Sequence, residues 1–136
     1  MPLPGVSCFA HPCTNGGRLS TRHRGSIYRA EFSFGRKPVL VISWNAVNEG
    51  LRQPICALIT TNVRDRSIPT YVEIDPSESG IPEPSFVLCH AIFVKDEREM
   101  DAHAIGELSY PKMLEVERAI ARALDFIGAS DPSISN

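Results

Sequence analysis

Five short apolar runs, each bounded by glycine, proline or asparagine, constrain the fold of this chain more than any other feature of its sequence. Runs of four to ten residues that are rich in Val, Ile, Tyr and Phe are typical of β-strands. Residues 71–74 (YVEI) also alternate between apolar and polar, as a half-exposed strand does. The predicted strands occupy residues 25–33, 38–43, 54–60, 70–75 and 85–94.

One helix is predicted, and it lies near the C-terminus. Ser109 is a suitable N-cap, and Pro111 falls in the first turn, where its missing N–H has no helical partner to lose. Gly128 offers a C-terminal stop. The residues at helical apolar spacing are Met113, Val116, Ile120, Ala123, Leu124 and Ile127. The predicted fold is therefore mainly β with a C-terminal helix, a strongly bent antiparallel sheet of the small SH3-like barrel type.

The length of 136 residues suits a single domain. Residues 23–128 form the predicted domain. Residues 1–22 mix Pro, Gly and Ser without periodicity and are predicted to be a flexible N-terminal extension. Residues 129–136, rich in Ser with one Pro, are predicted to be a C-terminal tail. No apolar run reaches the ~20 residues that a membrane span needs, and the N-terminus does not have the pattern of a secretory signal. We therefore expect a cytoplasmic protein that does not contact a membrane.

The four cysteines give no firm metal motif. Cys56 and Cys89 lie inside apolar runs, where a reduced cysteine behaves as a small hydrophobic residue. A zinc cluster would have to combine thiols and imidazoles near the N-terminus, but the spacing Cys-x₂-His-x-Cys is not that of a standard zinc knuckle. The residues concerned are Cys8, His11, Cys13 and His23. The chain is predicted to hold no metal and no other cofactor.

Charge is distributed unevenly along the sequence. Through Arg66 the chain has nine Lys and Arg against three Asp and Glu, a net charge of +6, and the remainder has five against thirteen, a net charge of −8. A locally basic surface binds phosphates even when the protein as a whole is acidic, because the contacts are made patch by patch. The alternative is that two solvated faces simply differ in sign.

Cations and hydroxyls occur near the ends of two neighbouring predicted strands. Arg36 and Lys37 precede the strand at 38–43, and Thr60 ends the strand at 54–60. RNA is cleaved without a metal when its own 2′-OH attacks phosphorus, provided that protons are transferred and phosphoryl charge is stabilised. Lys37 or Arg36 would stabilise that charge, and Thr60 would donate a hydrogen bond. Alternatively, the cations belong to an exposed turn and the threonine is only a β-branched strand residue.

Three ring-bearing residues are candidates for contacting unstacked bases. Phe34 and Trp44 flank predicted strands, and each is either a stacking platform or a plug of the hydrophobic core. His90 follows an apolar strand and is a proton carrier, a base-stacking group or a structural residue.

The order of short motifs resembles the MazF/PemK family of bacterial toxin endoribonucleases over residues 24–126. The matching segments are 24–25 (RG), 38–43 (PVLVIS), 57–62 (ALITTN), 69–74 (PTYVEI), 79–81 (SGI), 85–89 (SFVLC) and 105–109 (IGELS). The resemblance implies a CcdB/PemK-type barrel and a toxin of a type II toxin–antitoxin system in the bacterial cytoplasm. It also implies metal-independent, sequence-specific cleavage of single-stranded RNA, mRNA included, to 2′,3′-cyclic phosphate and 5′-OH ends.

The resemblance further implies which residues act and what the protein assembles with. Catalysis falls on Lys37 and Thr60, with Arg36 one residue out of register. Together with the ring-bearing candidates above, the predicted RNA-binding residues are Arg24, Phe34, Ser43, Trp44, Thr61, Asn62, Arg64 and His90. The implied partners are single-stranded RNA, a cognate antitoxin and a second copy of the chain in a homodimer.

The chain departs from the family pattern at three places, and two other functions stay open. Ser26 stands where Asp is usual, the loop at 31–36 is short, and residues 90–93 (HAIF) replace an acidic residue followed by Gln-Ile-Arg. A gyrase poison of the CcdB kind is disfavoured, because such toxins end in Trp-Gly-Ile and the only tryptophan here is Trp44. A non-catalytic SH3-like interaction module is the other alternative.

Overall fold

A computed structural model describes residues 21–126, which form a six-stranded antiparallel sheet with three α-helices. The strands are β1 (Ser26–Phe32), β2 (Gly35–Val41), β3 (Ile55–Thr60), β4 (Tyr71–Ile74), β5 (Ser85–Val94) and β6 (Gly106–Glu107). Their order in the sheet is β4-β5-β3-β2-β1-β6, and every neighbouring pair is antiparallel. The predicted mainly β class with a C-terminal helix is confirmed.

The helices are α1 (Asn45–Leu51), α2 (Pro76–Ser79) and α3 (Tyr110–Leu124), with a 3₁₀ turn at Glu97–Glu99. The side chain of Ser109 caps α3 by accepting a hydrogen bond from the Lys112 N–H, as predicted. The helix ends earlier than predicted because Asp125 adopts a left-handed conformation with φ of 55°; Ile127 and Gly128 lie outside the described residues. Within residues 21–126 no helix has the length and apolar character to cross a bilayer.

The sheet curls until its two edge strands approach each other through α2. That helix directly follows β4, and its C-cap, Gly80, lies against the backbone of Ile105 just before β6. A Cβ atom on Gly80 would lie 1.7 Å from the Ile105 carbonyl oxygen, and φ of +75° also favours glycine there. The curled half-barrel therefore depends on a glycine at this contact.

The sheet has an inner face and an outer face, each with its own buried cluster. On the inner face, α3 inserts Met113 and Val116 among strand residues such as Leu40 and Ile59. The outer face carries a second cluster, which consists of Tyr28, Ala30, Val39, Val41, Cys56 and Met100. Successive residues of a strand point to opposite faces, so this division fixes the face of every strand residue named below.

Three local features differ from the sequence-based expectation. Strand β2 begins at Gly35 and ends at Val41, whereas residues 38–43 were predicted, so Arg36 and Lys37 lie within the strand instead of a turn. Helix α1 and the two-residue strand β6 were not predicted. Arg22, assigned to the flexible extension, is buried and donates hydrogen bonds to the carbonyl oxygens of Glu97 and Met100.

Candidate functional site

Lys37 lies near the beginning of β2 and Thr60 at the end of β3, on strands that neighbour each other in the sheet. In the register of these strands Val41 lies opposite Cys56 and Val39 opposite Leu58. The β2–β3 pairing ends at Val39 and Leu58, and its register, continued by two residues along each strand, leads to Lys37 on β2 and Thr60 on β3. Directly opposite residues share a face, and Val39 belongs to the outer cluster, so both side chains lie on the outer face. The cation and the hydroxyl that the sequence singled out therefore lie on the same face of neighbouring strands, at the same end of the sheet.

The hydroxyl of Thr60 is held in a defined position and still has a proton to donate. Its Oγ1 accepts a hydrogen bond from the Asn62 N–H at 3.1 Å. A threonine hydroxyl has one donor and two acceptor sites, so its O–H is left for another acceptor. The turn that this bond closes exposes the side chains of Thr61 and Asn62 beside it. We call the group Lys37, Thr60, Thr61 and Asn62 the open edge.

Arg36 and Lys37 are adjacent in sequence but differ in their partners. Arg36 forms ion pairs with Asp101 and, at 3.8 Å between Nη1 and Oε1, with Glu31. Lys37 is exposed and forms no ion pair with any residue between 21 and 126. The exposed ammonium of Lys37 is therefore available to stabilise negative charge on phosphoryl oxygens.

Two further predicted residues flank the open edge. Phe34 lies in the turn between β1 and β2, where its ring is 63% exposed and stacks on Phe32 at 5.0 Å between centroids. Its exposure rules out the core-plug alternative. Arg64 follows the open edge in the loop after β3, is exposed, and makes no ion pair within the described part of the chain.

Three predicted RNA-binding residues lie at the opposite end of the same strands, about 20 Å away for a strand of six or seven residues. They are Arg24, Ser43 and Trp44, which with Asn48 we call the closed edge. Ser43 is buried, donates its hydroxyl proton to Asn48 Oδ1 and accepts from the Ile55 N–H at 2.9 Å. The Ser43 hydroxyl is therefore enclosed in this network, with its proton and one of its acceptor sites in use.

Arg24 is likewise engaged within the protein. Its guanidinium donates to the Ile42 carbonyl oxygen and forms an ion pair with Glu117 of α3, and its backbone N–H donates to Asn45 Oδ1 at 2.7 Å. These contacts join the segment before β1 to the residue after β2, to α1 and to α3. Trp44 precedes α1 and is 70% exposed, so it does not plug the core as one alternative held.

His90 lies within an irregular stretch of β5. Leu58 of β3 pairs with Leu88, but the preceding residue, Ala57, pairs with Ile92, so β5 has three extra residues at 89–91. A bulge of this kind re-aims side chains near functional sites. The His90 ring is exposed and stacks on Tyr71 of β4, with 5.7 Å between the ring centroids and an interplanar angle of 22°.

Tyr71 and Arg66 were not predicted as site residues. The Arg66 guanidinium lies over the Phe86 ring, 5.2 Å from its centroid, and forms an ion pair with Glu73 at 2.9 Å. The alternating pattern of residues 71–74 indicated that Tyr71 would be half exposed. No sequence pattern indicated that Arg66 would fold back onto the sheet.

Neither metal ligation nor thiolate chemistry is favoured here. Between residues 21 and 126 no group of three or more His, Cys, Asp and Glu side chains is arranged to hold a metal ion. Burial raises the pKa of the Cys56 and Cys89 thiols to about 12, which keeps them protonated at neutral pH. Of the possible zinc cluster only His23 is described; Cys8, His11 and Cys13 lie outside the described residues.

Comparison with known families identifies a match over most of the described residues. Residues 23–124 match the model of a family described as a PemK-like, MazF-like toxin of type II toxin–antitoxin system. The chain is 32% identical over 101 residues to "Endoribonuclease MazF4" of Mycobacterium tuberculosis, with 74% of this chain and 90% of that protein covered. It is 30% identical over 104 residues to "Endoribonuclease MazF" of Staphylococcus epidermidis, with coverage of 71% and 86%.

Solved structures are similar over the same region. One described as "Endoribonuclease in complex with its cognate antitoxin from Mycobacterial species" superimposes with a TM-score of 0.68 and 30% identity, and the match covers 77% of this chain and 96% of that chain. A MazE–MazF complex from Deinococcus radiodurans has a TM-score of 0.64 at 23% identity, and this similarity supports the fold alone.

Proposed function

The chain belongs to the PemK-like, MazF-like toxins of type II toxin–antitoxin systems, and on that premise we propose that it is an endoribonuclease and the toxin of such a pair. The observation that carries the proposal is the open edge, where Lys37, which has no ion pair among residues 21–126, and Thr60, whose hydroxyl keeps a proton to donate, lie on one face of neighbouring strands. Relatives at 30–32% identity are named as endoribonucleases. The proposed substrate is single-stranded RNA, mRNA included, cut at specific sequences.

In the proposed reaction the 2′-OH of the substrate attacks the adjacent phosphorus. The bond from phosphorus to the 5′-oxygen of the next nucleotide breaks, the 2′-OH loses its proton, and the leaving oxygen gains one. The products are a 2′,3′-cyclic phosphate and a 5′-OH end. Lys37 stabilises the negative charge that grows on the phosphoryl oxygens, and Thr60 donates a hydrogen bond to one of them. The reaction needs no metal because the attacking group is part of the substrate.

Around this centre, we assign substrate contacts to residues near the open edge. Thr61 and Asn62 offer polar side chains, Arg64 a second cation, and Phe34 an exposed ring on which a base stacks. Arg36 supports the site electrostatically while it is held by Asp101 and Glu31. For Arg24 and Ser43 we propose structural roles in place of the RNA contacts that the sequence suggested.

The test is incubation of the purified protein with a long single-stranded RNA in the presence of EDTA. We expect cleavage products whose 5′ ends accept phosphate from polynucleotide kinase without prior phosphatase treatment. Activity should fall with added salt, because phosphate contacts contribute much of the affinity. A requirement for Mg²⁺, or 5′-phosphate ends, would contradict the mechanism. An absence of cleavage at any condition would favour the non-catalytic interaction module or the gyrase poison.

The proposed assembly is a homodimer in the bacterial cytoplasm that binds RNA and an acidic, partly disordered antitoxin in competition. A single small barrel offers limited surface for tracking several phosphates, and a twofold axis joins two basic regions into one groove. Light scattering should give about twice the chain mass of 15.0 kDa. A strictly monomeric protein that still cleaves RNA would contradict the shared groove but not the catalytic centre.

A further inference from the structure

The outer face continues from the open edge across β5 to β4 without a break in the ladder. Thr60 pairs with Phe86, and Phe86 pairs with Glu73 on β4. The next row on the same face runs from Leu58 through Leu88 to Tyr71. Leu58, Leu88 and Tyr71 are each partly exposed. This row is therefore an apolar floor that solvent can reach.

Tyr71 and His90 stand at the far end of this floor. Tyr71 lies directly opposite Leu88, and His90 is two residues further along β5, so the histidine occupies the diagonal position on the same face. The Cys89 N–H donates to the Thr70 carbonyl oxygen at 2.9 Å, which fixes β5 against β4 at this point. The two rings consequently stack with 5.7 Å between their centroids. We call this pair the ring stack.

We propose that the ring stack is a nucleobase-binding subsite that selects one base close to the cleaved phosphodiester. The proposal rests on the endoribonuclease function and adds to it a residue pair that reads a base. An unpaired base has two π-faces, and it would extend the ring stack by lying on the exposed His90 imidazole or against Tyr71. The edges of the imidazole and the phenol supply hydrogen-bonding groups that distinguish one base from another.

The distance from the open edge fits this role. Tyr71 lies two strands from Thr60 and one row along the sheet, so with strands about 4.8 Å apart and about 7 Å between rows the separation is about 12 Å. An RNA whose phosphate contacts Lys37 and Thr60 can therefore place a neighbouring base, or the one after it, over the floor. Arg66, which Phe86 and Glu73 hold in place, lies beside this stretch of the outer face. It supplies a cation for the RNA backbone that connects the cleaved phosphate to the bound base.

If the ring stack binds a base, substitutions in it should change the sequence preference of the enzyme but leave its ability to cleave RNA intact. In His90→Ala, cleavage of a long RNA should continue, but mapping of all 5′-OH ends by sequencing should show that the base preference is lost at one position near the cut. For the preferred sequence, kcat/KM should fall about 10- to 100-fold, mostly through KM, since stacking contributes to substrate and transition state alike. Tyr71→Ala should have the same effect, and Tyr71→Phe a smaller one.

His90→Phe and His103→Ala are the matched controls. A phenyl ring retains the stacking surface, so His90→Phe should recover most of the affinity while its base preference differs. His103 is another exposed histidine, in the loop between β5 and β6, and its removal should leave rate and preference unchanged. If His90→Phe lost kcat as completely as His90→Ala, His90 would act in proton transfer and the subsite would be wrong. An unchanged sequence profile in His90→Ala would also overturn it.

A binding measurement separates failure of the subsite from failure of the proposed function. Fluorescein-labelled single-stranded hexaribonucleotides of a single base type are titrated with the Thr60→Val protein, which should bind without cleaving. The further His90→Ala change should weaken binding of one base type by about tenfold or more, and His103→Ala should not. If the wild-type protein cleaved no RNA but His90→Ala still weakened binding of one base type, the base-binding subsite would be supported and the nuclease assignment would be wrong. Equal binding by both double variants would overturn the subsite.

Discussion

The open edge and the closed edge lie at opposite ends of the same strands, and both are rich in polar side chains. At the closed edge nearly every polar group has a partner inside the protein: Ser43 with Asn48 and Ile55, Arg24 with Ile42 and Glu117. At the open edge Lys37 has no ion pair within the described residues, and the Thr60 hydroxyl retains a proton to donate. Residue type alone does not distinguish the two ends.

The difference shows how polar groups divide between stability and function. A buried donor or acceptor without a partner costs about 1–3 kcal/mol, so the enclosed network of the closed edge is needed for folding. An exposed cation or hydroxyl has water as a partner in the free protein and can exchange it for a phosphate. The two edges should therefore respond in opposite ways to substitution, one in activity and the other in stability.

The largest effect is expected at the open edge, from Lys37→Ala and Thr60→Val. Each should lower kcat about 100- to 1,000-fold, because each removes a group that stabilises charge in the transition state. Both side chains are at least partly exposed, so the midpoint of thermal unfolding should stay close to that of the wild type. Single-turnover cleavage and calorimetry measure the two quantities. If Lys37→Ala kept full activity while Arg36→Ala had none, Arg36 would be the working cation.

The next effect concerns the closed edge and is one of stability. Asn48 is 1% exposed, and its amide donates to the Ser43 carbonyl oxygen at 3.1 Å while accepting from the Ser43 hydroxyl. Asn48→Ala leaves these groups unsatisfied and should lower the free energy of unfolding by about 1–3 kcal/mol. Urea denaturation tests this. The cleavage rate per folded molecule should not change. If it fell as much as in Lys37→Ala, the closed edge would also act in catalysis and the proposed difference between the edges would be wrong.

A smaller effect is expected from Arg24→Ala. Its ion pair with Glu117 is partly exposed, with side-chain exposures of 32% and 50%, and such pairs contribute about 0–1 kcal/mol. The lost bond to the Ile42 carbonyl adds to this, but the total should stay below that of Asn48→Ala in the same urea experiment. RNA affinity should be unchanged within error, with Arg64→Ala as the matched control that weakens it. If Arg24→Ala weakened RNA binding and Arg64→Ala did not, the closed edge would contact RNA after all.

The smallest effect is expected from protonation of the Asp96 carboxyl, close to the closed edge. Hydrogen bonds from the Arg98 side chain and backbone lower the pKa of the Asp96 carboxyl from 3.8 to about 2. A lowered pKa means that the stabilising contribution of Asp96 is complete above pH 4 and is lost as the pH falls towards 2. Carboxyl chemical shifts followed by NMR should show this midpoint. In Arg98→Ala the midpoint should return towards the ordinary value, and an unchanged midpoint would exclude Arg98 as the cause.

Much of the fold could be predicted because its signals are local. Strand β5 was predicted with its observed bounds, 85–94, and β1, β3 and β4 to within a residue at each end. The cap at Ser109 and the stripe through Met113 and Val116 identified α3. Helix α1 was missed because Asn45–Leu51 includes two asparagines and a glycine, which are weak helix formers. Its contacts with Ser43 and Arg24 are tertiary, and no local pattern records them.

The sequence by itself determined most of the element types and the family, because strand periodicity and motif order are properties of the residues along the chain. Only the tertiary structure decided which polar side chains are left available. Arg36 and Lys37 are adjacent in the chain, yet one lies against Asp101, 65 positions away, and the other faces solvent. Tyr71 and His90 meet only because β4 pairs with β5. Charge pairing and ring stacking depend on distance in space, and folding sets that distance.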